Sequence, residues 1–347
     1  MFDIIDKLAV QHTLSHEEFR ELIENRTPVV DEYLFAKARE IREKYYGKEV
    51  YLRGLIEISN YCRNNCFYCG IRNGNREASR YRMSKADILS CCREGYALGF
   101  RTFVLQGGED AYFTDEKMID IVSTIRHQFP DCAITLSLGE KSYETYKAFY
   151  DAGADRYLLR HETATPEHYA QIHPAKMLFE TRQKALQDLM EIGYQVGSGF
   201  MVGTPFQTAS HLATDLLFLA NFRPHMIGIG PFLSHHNTPF SHYPDGSVEL
   251  TLFLLGLLRL ILPASLLPST TALGVADPDG REKGLLAGAN VIMPNLSPAE
   301  VRTKYILYDN KIGTHDDAAS SLQKIAERVI RTGYHIAVHR GDAKPEK

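Results

Sequence analysis

The sequence predicts an α/β protein whose main part is a complete (β/α)8 barrel of the TIM type. Short apolar runs alternate with longer segments of helical periodicity, a pattern typical of βα units around a parallel sheet. We count eight such units, and eight units close most naturally into a barrel. A barrel of this kind typically needs about 250 residues. The chain has 347 residues, which leaves room for a helical segment at each end.

The two ends of the chain are predicted to be helical. At the N-terminal end, "SHEE" can form a capping box in which Ser15 caps the helix and Glu18 returns the hydrogen bond. A second helical pattern, "DEYLFAKAREIREKYYG", ends at Gly47. Three segments are therefore expected, namely an N-terminal helical segment, the barrel, and a C-terminal closing helix with its tail, at residues 1–48, 49–314 and 315–347.

The predicted strands are short and apolar, and chemically informative residues follow several of them. In chain order the strands are "VYLRGLIEI" (50–58), "TFVLQ" (102–106), "AITLSL" (133–138), "RYLLRHE" (156–162), "YQVGSGFMV" (194–202), "HMIGIG" (225–230), "LLPSTTA" (266–272) and "NVIMP" (290–294). Active sites of such barrels lie at the carboxyl ends of the strands. A cysteine loop follows strand one, "GGED" follows strand two, "RHET" ends strand four, and strand seven carries "STTALG".

Composition argues against several classes of partner. With 39 basic and 43 acidic residues the net charge is -4, without the basic excess that phosphate-backbone binding usually requires. The N-terminal stretch has acidic residues at Asp3 and Asp6 and no continuous apolar run, so it does not resemble a signal peptide. The long apolar stretch from Leu250 is interrupted by polar residues, which favours a buried barrel helix over a membrane span. We therefore expect a cytoplasmic protein with no nucleic-acid and no membrane partner.

Half of the six cysteines lie in one polar loop, "SNYCRNNCFYCGIR". The spacing of Cys62, Cys66 and Cys69 brings three thiolates to one point, which suits a metal or an iron-sulfur cluster better than a disulfide. Three thiolates leave one coordination position open, whereas a structural zinc site normally fills four and would need another ligand nearby. A structural zinc site stays the alternative for this loop.

The other cysteines and a glycine motif have simpler interpretations. Cys91 and Cys92 lie in a helical pattern, where they are most simply small core or surface residues, and Cys132 precedes strand three. The glycines of "GSGFMVG" miss the dinucleotide-binding fingerprint by one residue and do not lie at the first βα turn. A Rossmann fold is therefore not favoured.

The cysteine loop resembles the CxxxCxφC signature of radical S-adenosylmethionine (SAM) enzymes, where φ is an aromatic residue. Over about residues 40–310 the sequence resembles the HydE family of FeFe-hydrogenase maturases, among the biotin synthase-like radical SAM enzymes. The matching segments are "LRGLIEISNYCRNNCFYCGIR", "RYRM", "LQGGEDAY", "TLSLGE", "GADRYLLRHET", "MVGTP", "IGIGPF", "TTALG" and "GANVIMPN". The resemblance implies a radical SAM barrel that reductively cleaves SAM to a 5′-deoxyadenosyl radical, in an anaerobic organism.

The resemblance also implies the cofactor-binding residues. Cys62, Cys66 and Cys69 match the residues that hold one 4Fe-4S cluster, whose open position binds SAM. Glu162 is suited to the ribose hydroxyls and Arg182 to the carboxylate, although either could instead form a surface ion pair. The positions that match the family's SAM site are Tyr68, Gly107, Gly108, Glu109, Ser137, Glu162 and Arg182.

The substrate implied by the resemblance is a cysteine-ligated Fe(CO)2(CN) complex. Its cradle would combine cations, hydroxyl and amide groups and soft methionines, because an unpaired arginine is costly to bury without an anion. The matching positions are Arg53, Arg156, Arg160, Met226, Thr270, Thr271, Ala272, Met293 and Tyr305. Two alternatives stay open: the methionines could be core packing, and the arginines could pair with Asp155 or Glu57.

The implied partners are the maturases HydG and HydF and a reductant such as ferredoxin or flavodoxin. Other radical enzymes of the same barrel type, methylornithine synthase or a biotin synthase-like enzyme, are the nearest alternatives, and a non-catalytic iron-sulfur scaffold is an alternative of another class. Some HydE proteins carry an accessory cluster just past the barrel. The corresponding "NKIGTHDDAASSLQK" has no cysteine, so a single cluster is expected.

Overall fold

The computed structural model describes residues 1–311 and 318–345. The predicted boundary between barrel and C-terminal segment, at residues 314 and 315, lies outside the described residues. The strands are β1 (Glu49–Leu52), β2 (Gly54–Ser59), β3 (Thr102–Gly107), β4 (Ala133–Ser137), β5 (Arg156–Leu158), β6 (Gln195–Ser198), β7 (Met201–Val202), β8 (Met226–Ile227), β9 (Gly230–Pro231), β10 (Val291–Ile292) and β11 (His335–Ala337).

Helices precede the barrel, cover it and close the chain. They are α1 (Phe2–Gln11), α2 (His16–Glu24), α3 (Pro28–Tyr46), α4 (Lys85–Ala97), α5 (Asp115–Gln128), α6 (Tyr143–Asp151), α7 (Pro166–Ile172), α8 (Phe179–Ile192), α9 (Ala209–Phe222), α10 (Val248–Ile261), α11 (Thr271–Ala276), α12 (Gly280–Leu286), α13 (Ala299–Arg302) and α14 (Ala318–Arg331). The predicted capping box forms at the start of α2, where the Ser15 side chain accepts from the Glu18 N–H and Glu18 bonds the Ser15 N–H.

The parallel pairings run round the whole barrel. Six strands pair in the order β2, β3, β4, β5, β6 and β8. Parallel bridges then join Met226 to Leu266 and Pro268 to Val291, and β10 pairs with β1. The eight predicted strand segments therefore form one ring, which confirms the predicted fold class.

Several predicted strands differ in detail from the structure. The fourth ends at Leu158, and the fifth and sixth are each divided, into β6 and β7 and into β8 and β9. The first is interrupted at Arg53, where its hydrogen-bond partner changes: β1 pairs with β10, while β2 pairs with β3. The seventh contributes only bridges, because Pro268 has no N–H to donate and Thr270 already caps α11.

The helix from the long apolar stretch lies inside the protein. From Thr251 to Ile261 every residue of α10 is buried, because α1 and α3 pack over its outer side. A helix covered on all sides has no need of a polar face, which explains its composition. Among the described residues no helix is both long and apolar enough to span a membrane.

The C-terminal segment adds a strand that the sequence did not predict. After α14 the chain forms β11, which pairs in parallel with β1, with Val50 opposite Ile336. The tail then bonds the lower ends of the barrel strands, since Arg156 donates to Asp342 and the Thr102 hydroxyl donates to the Arg340 carbonyl. It therefore covers the base of the barrel, at the end opposite the cysteine loop.

Candidate functional site

One cavity of about 410 Å³ opens at the carboxyl ends of the barrel strands. The cysteine loop after β2 forms one side, and strand ends from the rest of the ring form the other walls. All predicted site residues except Arg53 and Arg156 line it: Cys62, Cys66, Tyr68, Cys69, Gly107, Gly108, Glu109, Ser137, Arg160, Glu162, Arg182, Met226, Thr270, Thr271, Ala272, Met293 and Tyr305. Residues spread over more than two hundred positions in sequence thus meet at one place.

The side chain of a single arginine holds the cysteine loop in shape by donating hydrogen bonds to backbone carbonyls. The Arg80 guanidinium donates to the carbonyls of Asn60, Ile71, Arg72 and Asn75. These bonds tie the start of the loop to its end and help to fix its shape. Arg80 lies in the matched segment "RYRM", but the sequence alone does not reveal this role.

The three cysteines of the loop are half-buried and line the same end of the cavity. Burial, followed by the charges of Cys69 and Cys62, raises the pKa of Cys66, and burial raises the pKa of Cys69 to about 12. The Cys66 Sγ lies 3.7 Å from the Sδ of Met177, a cavity residue that the sequence did not predict. The thiols are therefore protonated at neutral pH, and binding a metal must displace their protons.

The "GGED" segment lies against the cysteine loop. A Cβ on Gly108 would lie 2.2 Å from the Tyr61 carbonyl oxygen and 2.7 Å from the Cys62 Cβ, so only glycine permits this approach. Glu109 is buried and its carboxylate bonds Arg63 at 2.9 Å and the Glu140 N–H at 3.1 Å. Both carboxylate oxygens of Glu109 therefore have partners, and these bonds hold the "GGED" segment in place beside the cysteine loop.

A buried histidine supports the aromatic residue of the cysteine motif. His173 Nδ1 lies 3.1 Å from the Tyr169 carbonyl, and its Nε2 lies 3.0 Å from the Tyr68 hydroxyl. Burial lowers the pKa of His173 to about 3, so the ring is neutral. Because only a protonated Nδ1 can donate to a carbonyl, Nε2 accepts from Tyr68. No pattern in the sequence points to His173, since it lies far from the motif along the chain.

Glu162 has an unusual backbone and an unused oxygen. Its φ is +66°, a left-handed conformation that costs a non-glycine residue about 1–3 kcal/mol. One carboxylate oxygen accepts from the Arg160 Nε at 3.1 Å, while the buried Oε2 has no partner among the described residues. This oxygen is therefore available to accept a hydrogen bond from a ligand in the cavity.

Arg182 lines the cavity but already has partners. Its Nε donates to Glu140 at 2.6 Å and one terminal nitrogen donates to the Arg160 carbonyl at 2.6 Å. The ion pair considered as an alternative therefore exists, although it is partly buried and not on the surface. These bonds leave Arg182 placed to hold the wall and to present the rest of its guanidinium to the cavity.

The wall opposite the cysteines combines soft and polar groups. Met226 and Met293 pack in one apolar cluster inside the barrel and also line the cavity. Tyr305 is buried and accepts from the Gln106 amide at 3.3 Å, and Thr271 accepts from Arg281 at 3.3 Å. The methionines thus serve both as core and as cavity wall.

The predicted contact of Arg156 with a substrate has no support from its placement, because Arg156 does not line the cavity. Arg156 lies below the cavity and donates to Asp342 at 2.6 Å, to the Arg340 carbonyl at 2.8 Å and to Thr102 at 3.1 Å. It does not pair with Asp155 or Glu57, the alternatives considered. The counter-charge of Arg156 comes from Asp342 in the C-terminal tail, a segment that was predicted to be a closing helix with its tail.

Arg53 does not line the cavity either, but it differs from Arg156 in having no partner. All three guanidinium nitrogens are buried and lack a hydrogen bond within the described residues. Burial, and then the charge of Arg156, lowers the pKa of Arg53 well below its usual value. An uncompensated cation in the barrel interior would favour an anion beside it.

Comparison with known proteins gives consistent likenesses. Residues 56–219 match the model of the radical SAM superfamily. The chain is 45% identical over 310 residues to the [FeFe] hydrogenase maturase subunit HydE of Thermotoga maritima, covering 89% of this chain and 88% of that protein. It is 27% identical to the 3-methylornithine synthase of Methanosarcina acetivorans, covering 93% and 91%. The crystal structure of methylornithine synthase (PylB) superposes with a TM-score of 0.84 at 26% identity, covering 96% and 97%.

Proposed function

Because the chain belongs to the HydE family of radical SAM enzymes, we propose that it reductively cleaves SAM and acts as a maturase of the FeFe-hydrogenase H-cluster. Its substrate in this proposal is the cysteine-ligated Fe(CO)2(CN) complex. The observation that supports it best is that the three loop cysteines, Gly108 and Glu162 line one cavity with the methionine and threonine wall.

The cysteine loop fits the 4Fe-4S cluster that the family uses. Cys62, Cys66 and Cys69 would hold the cluster, since three thiols open onto one end of the cavity. When bound and reduced, the cluster supplies the electron that splits SAM into methionine and the 5′-deoxyadenosyl radical. The chain's own part is to keep the loop fixed through Arg80 and to surround the reaction with apolar walls that exclude water.

The residues around the cavity also fit SAM. The free Oε2 of Glu162 would accept from ribose hydroxyls, and Ser137 lies on the same side of the barrel. The edge at Gly107 and Gly108 would receive the methionine amino group, because without side chains its backbone can approach a ligand closely. Tyr68, fixed by His173, would lie against the adenine.

The far wall suits an anionic metal complex with a carbonyl shell. Thr270 and Thr271 provide hydroxyl groups, and Met226 and Met293 provide soft, polarisable contacts. Arg160, paired with Glu162, brings positive charge to the cavity from the side of the SAM site. HydG and HydF would act with this chain, and a ferredoxin or flavodoxin would reduce the cluster.

Methylornithine synthesis is the second candidate, because both a sequence relative and a solved structure carry that activity in their names. A reconstituted system separates the two. Anaerobically loaded, reduced protein should release 5′-deoxyadenosine and support hydrogenase maturation in a mixture that lacks HydE. Conversion of lysine to methylornithine without maturation would favour the second candidate. If the protein does not cleave SAM, the alternative of a non-catalytic iron-sulfur scaffold would be favoured.

A matched pair of variants tests the substrate wall in the same system. Thr271→Val removes a hydroxyl in the cavity and should lower the maturation rate about fivefold, the effect of one hydrogen bond. Thr124→Val, on the exposed side of α5, should leave the rate unchanged. Equal rates for the two variants would contradict the assignment of Thr271.

A further inference from the structure

Behind Glu162 lies a polar network that the cavity chemistry does not use. His161 and Asp215 are both fully buried, and neither lines the cavity. The His161 Nδ1 lies 3.0 Å from the Ser198 hydroxyl, and the His161 Nε2 lies 3.3 Å from the Asp215 Oδ1 without the geometry of a hydrogen bond. Asp215 comes from α9 and Ser198 from β6, so the histidine lies between an outer helix and a barrel strand.

The network bonds the chain on both sides of Glu162. The Asp215 carboxylate accepts from the Ala164 N–H at 2.6 Å, and the Ser198 hydroxyl accepts from the His161 N–H at 3.2 Å. The Glu162 N–H donates to the Gly199 carbonyl at 3.1 Å, and Glu162 forms a parallel bridge with Phe200. The residues on both sides of Glu162 are thus bonded by the network, while Glu162 itself has a left-handed φ of +66°.

Packing prevents the histidine from moving away. Its ring lies 4.6 Å from the Phe218 ring and 5.7 Å from the Phe200 ring, measured between centroids. A buried carboxylate is a poor stabilising group, and the Asp215 Oδ2 has no partner among the described residues. Apolar packing would stabilise this region at least as well, so fixing the backbone explains these residue types better than stability does.

We propose that Asp215, His161 and Ser198 are positioning residues that hold Glu162 in its left-handed conformation, with Oε2 directed at the ribose of SAM. The proposal rests on the proposed function, in which Glu162 binds that ribose. Asp215 and His161 do not line the cavity and would act through Glu162, whereas Ser198 also lines the cavity.

A double-mutant cycle tests whether Asp215 acts through Glu162. The variants are Glu162→Ala, Asp215→Ala and the two together, in the reconstituted full-length protein. The dissociation constant for SAM is measured from the change in the electron paramagnetic resonance signal of the reduced cluster during titration. Iron content and the melting temperature of each variant are recorded beside it.

We expect Glu162→Ala to weaken SAM binding about tenfold and Asp215→Ala about fivefold, with iron content unchanged. The double variant should bind no more weakly than Glu162→Ala, because the network has no other route to SAM. Asp188→Ala is the matched control, since Asp188 is also buried and lies on α8 beside exposed Lys184. It should bind SAM as the wild type does.

A milder variant keeps the test decisive if Asp215→Ala does not fold. Asp215→Asn keeps an oxygen for the Ala164 N–H and should weaken binding less than Asp215→Ala. Independent effects that multiply in the double variant would overturn the positioning role. If Glu162→Ala binds SAM normally, the cofactor assignment itself fails; if only the network variants bind normally, the assignment stands and this inference falls.

Discussion

Buried arginines in this protein differ in what surrounds their guanidinium groups. The Arg259 guanidinium donates to the carbonyls of Gly288, Pro263 and Ser265 at 2.8–2.9 Å, while that of Arg53 has no partner among the described residues. Removing the charge of Arg53 from water costs free energy, and no hydrogen bond among the described residues offsets that cost. This difference is visible only at the level of single atoms.

We expect Arg53→Met to stabilise the protein free of ligands, by about 1–4 kcal/mol, because it replaces an unpaired buried charge with apolar volume. The same variant should lose substrate affinity if an anion binds beside Arg53. Arg259→Met is the control and should destabilise, since it leaves three carbonyls without donors. Urea unfolding checks both, and a destabilised Arg53→Met would contradict the prediction.

Gly108 decides how closely the second strand end can approach the cysteine loop. Gly108→Ala forces the new Cβ against the Tyr61 carbonyl, so we expect reduced iron content after reconstitution and a loss of about 1–3 kcal/mol in stability. At Gly228, which also lines the cavity, the nearest atom to a new Cβ is 3.7 Å away. Gly228→Ala should therefore load iron normally, and equal loading of both variants would refute the argument.

Among the elements, the C-terminal tail closes the base of the barrel, a role that was not predicted from its sequence. It adds β11 beside β1 and brings Asp342 to Arg156, whose side chain is almost fully buried. Burial alone would raise the pKa of Asp342, but the charge and hydrogen bond of Arg156 outweigh it and hold that pKa well below its usual value. The tail thus closes the base of the barrel by supplying a counter-charge.

This contact predicts a pH dependence of stability. A carboxyl group whose pKa is lowered by folding stabilises the protein above its unfolded pKa, about 3.9, and this contribution is lost as the pH falls through the folded value. Asp342→Asn should therefore cost about 1–2 kcal/mol at pH 7 and progressively less below about pH 4. Urea unfolding of both proteins at several pH values measures this. Asp151→Asn, in an exposed pair with Lys147, should cost little at any pH.

At the scale of the whole molecule, the cysteines fall into two groups with different surroundings. Cys62, Cys66 and Cys69 line the cavity, whereas Cys91, Cys92 and Cys132 are buried and do not. Replacing the second group together by alanine should leave about four irons per chain after reconstitution. Cys66→Ala alone should abolish the cluster absorption. A loss of iron in the triple variant, or about eight irons in the wild type, would contradict a single cluster.

The sequence by itself determined the eight βα units, the capping box at Ser15 and the cysteine loop, because all three depend on residues close together along the chain. It also determined which strand ends carry polar motifs, since the barrel topology sends those ends to one side. Only the tertiary structure decided the partners of buried charges: Asp342 for Arg156, Glu140 for Arg182, and no partner among the described residues for Arg53. The same holds for His173 under Tyr68 and Asp215 behind Glu162. These contacts join residues far apart along the chain, and their energies depend on burial and on distances of a few ångströms, which local periodicity and spacing do not encode.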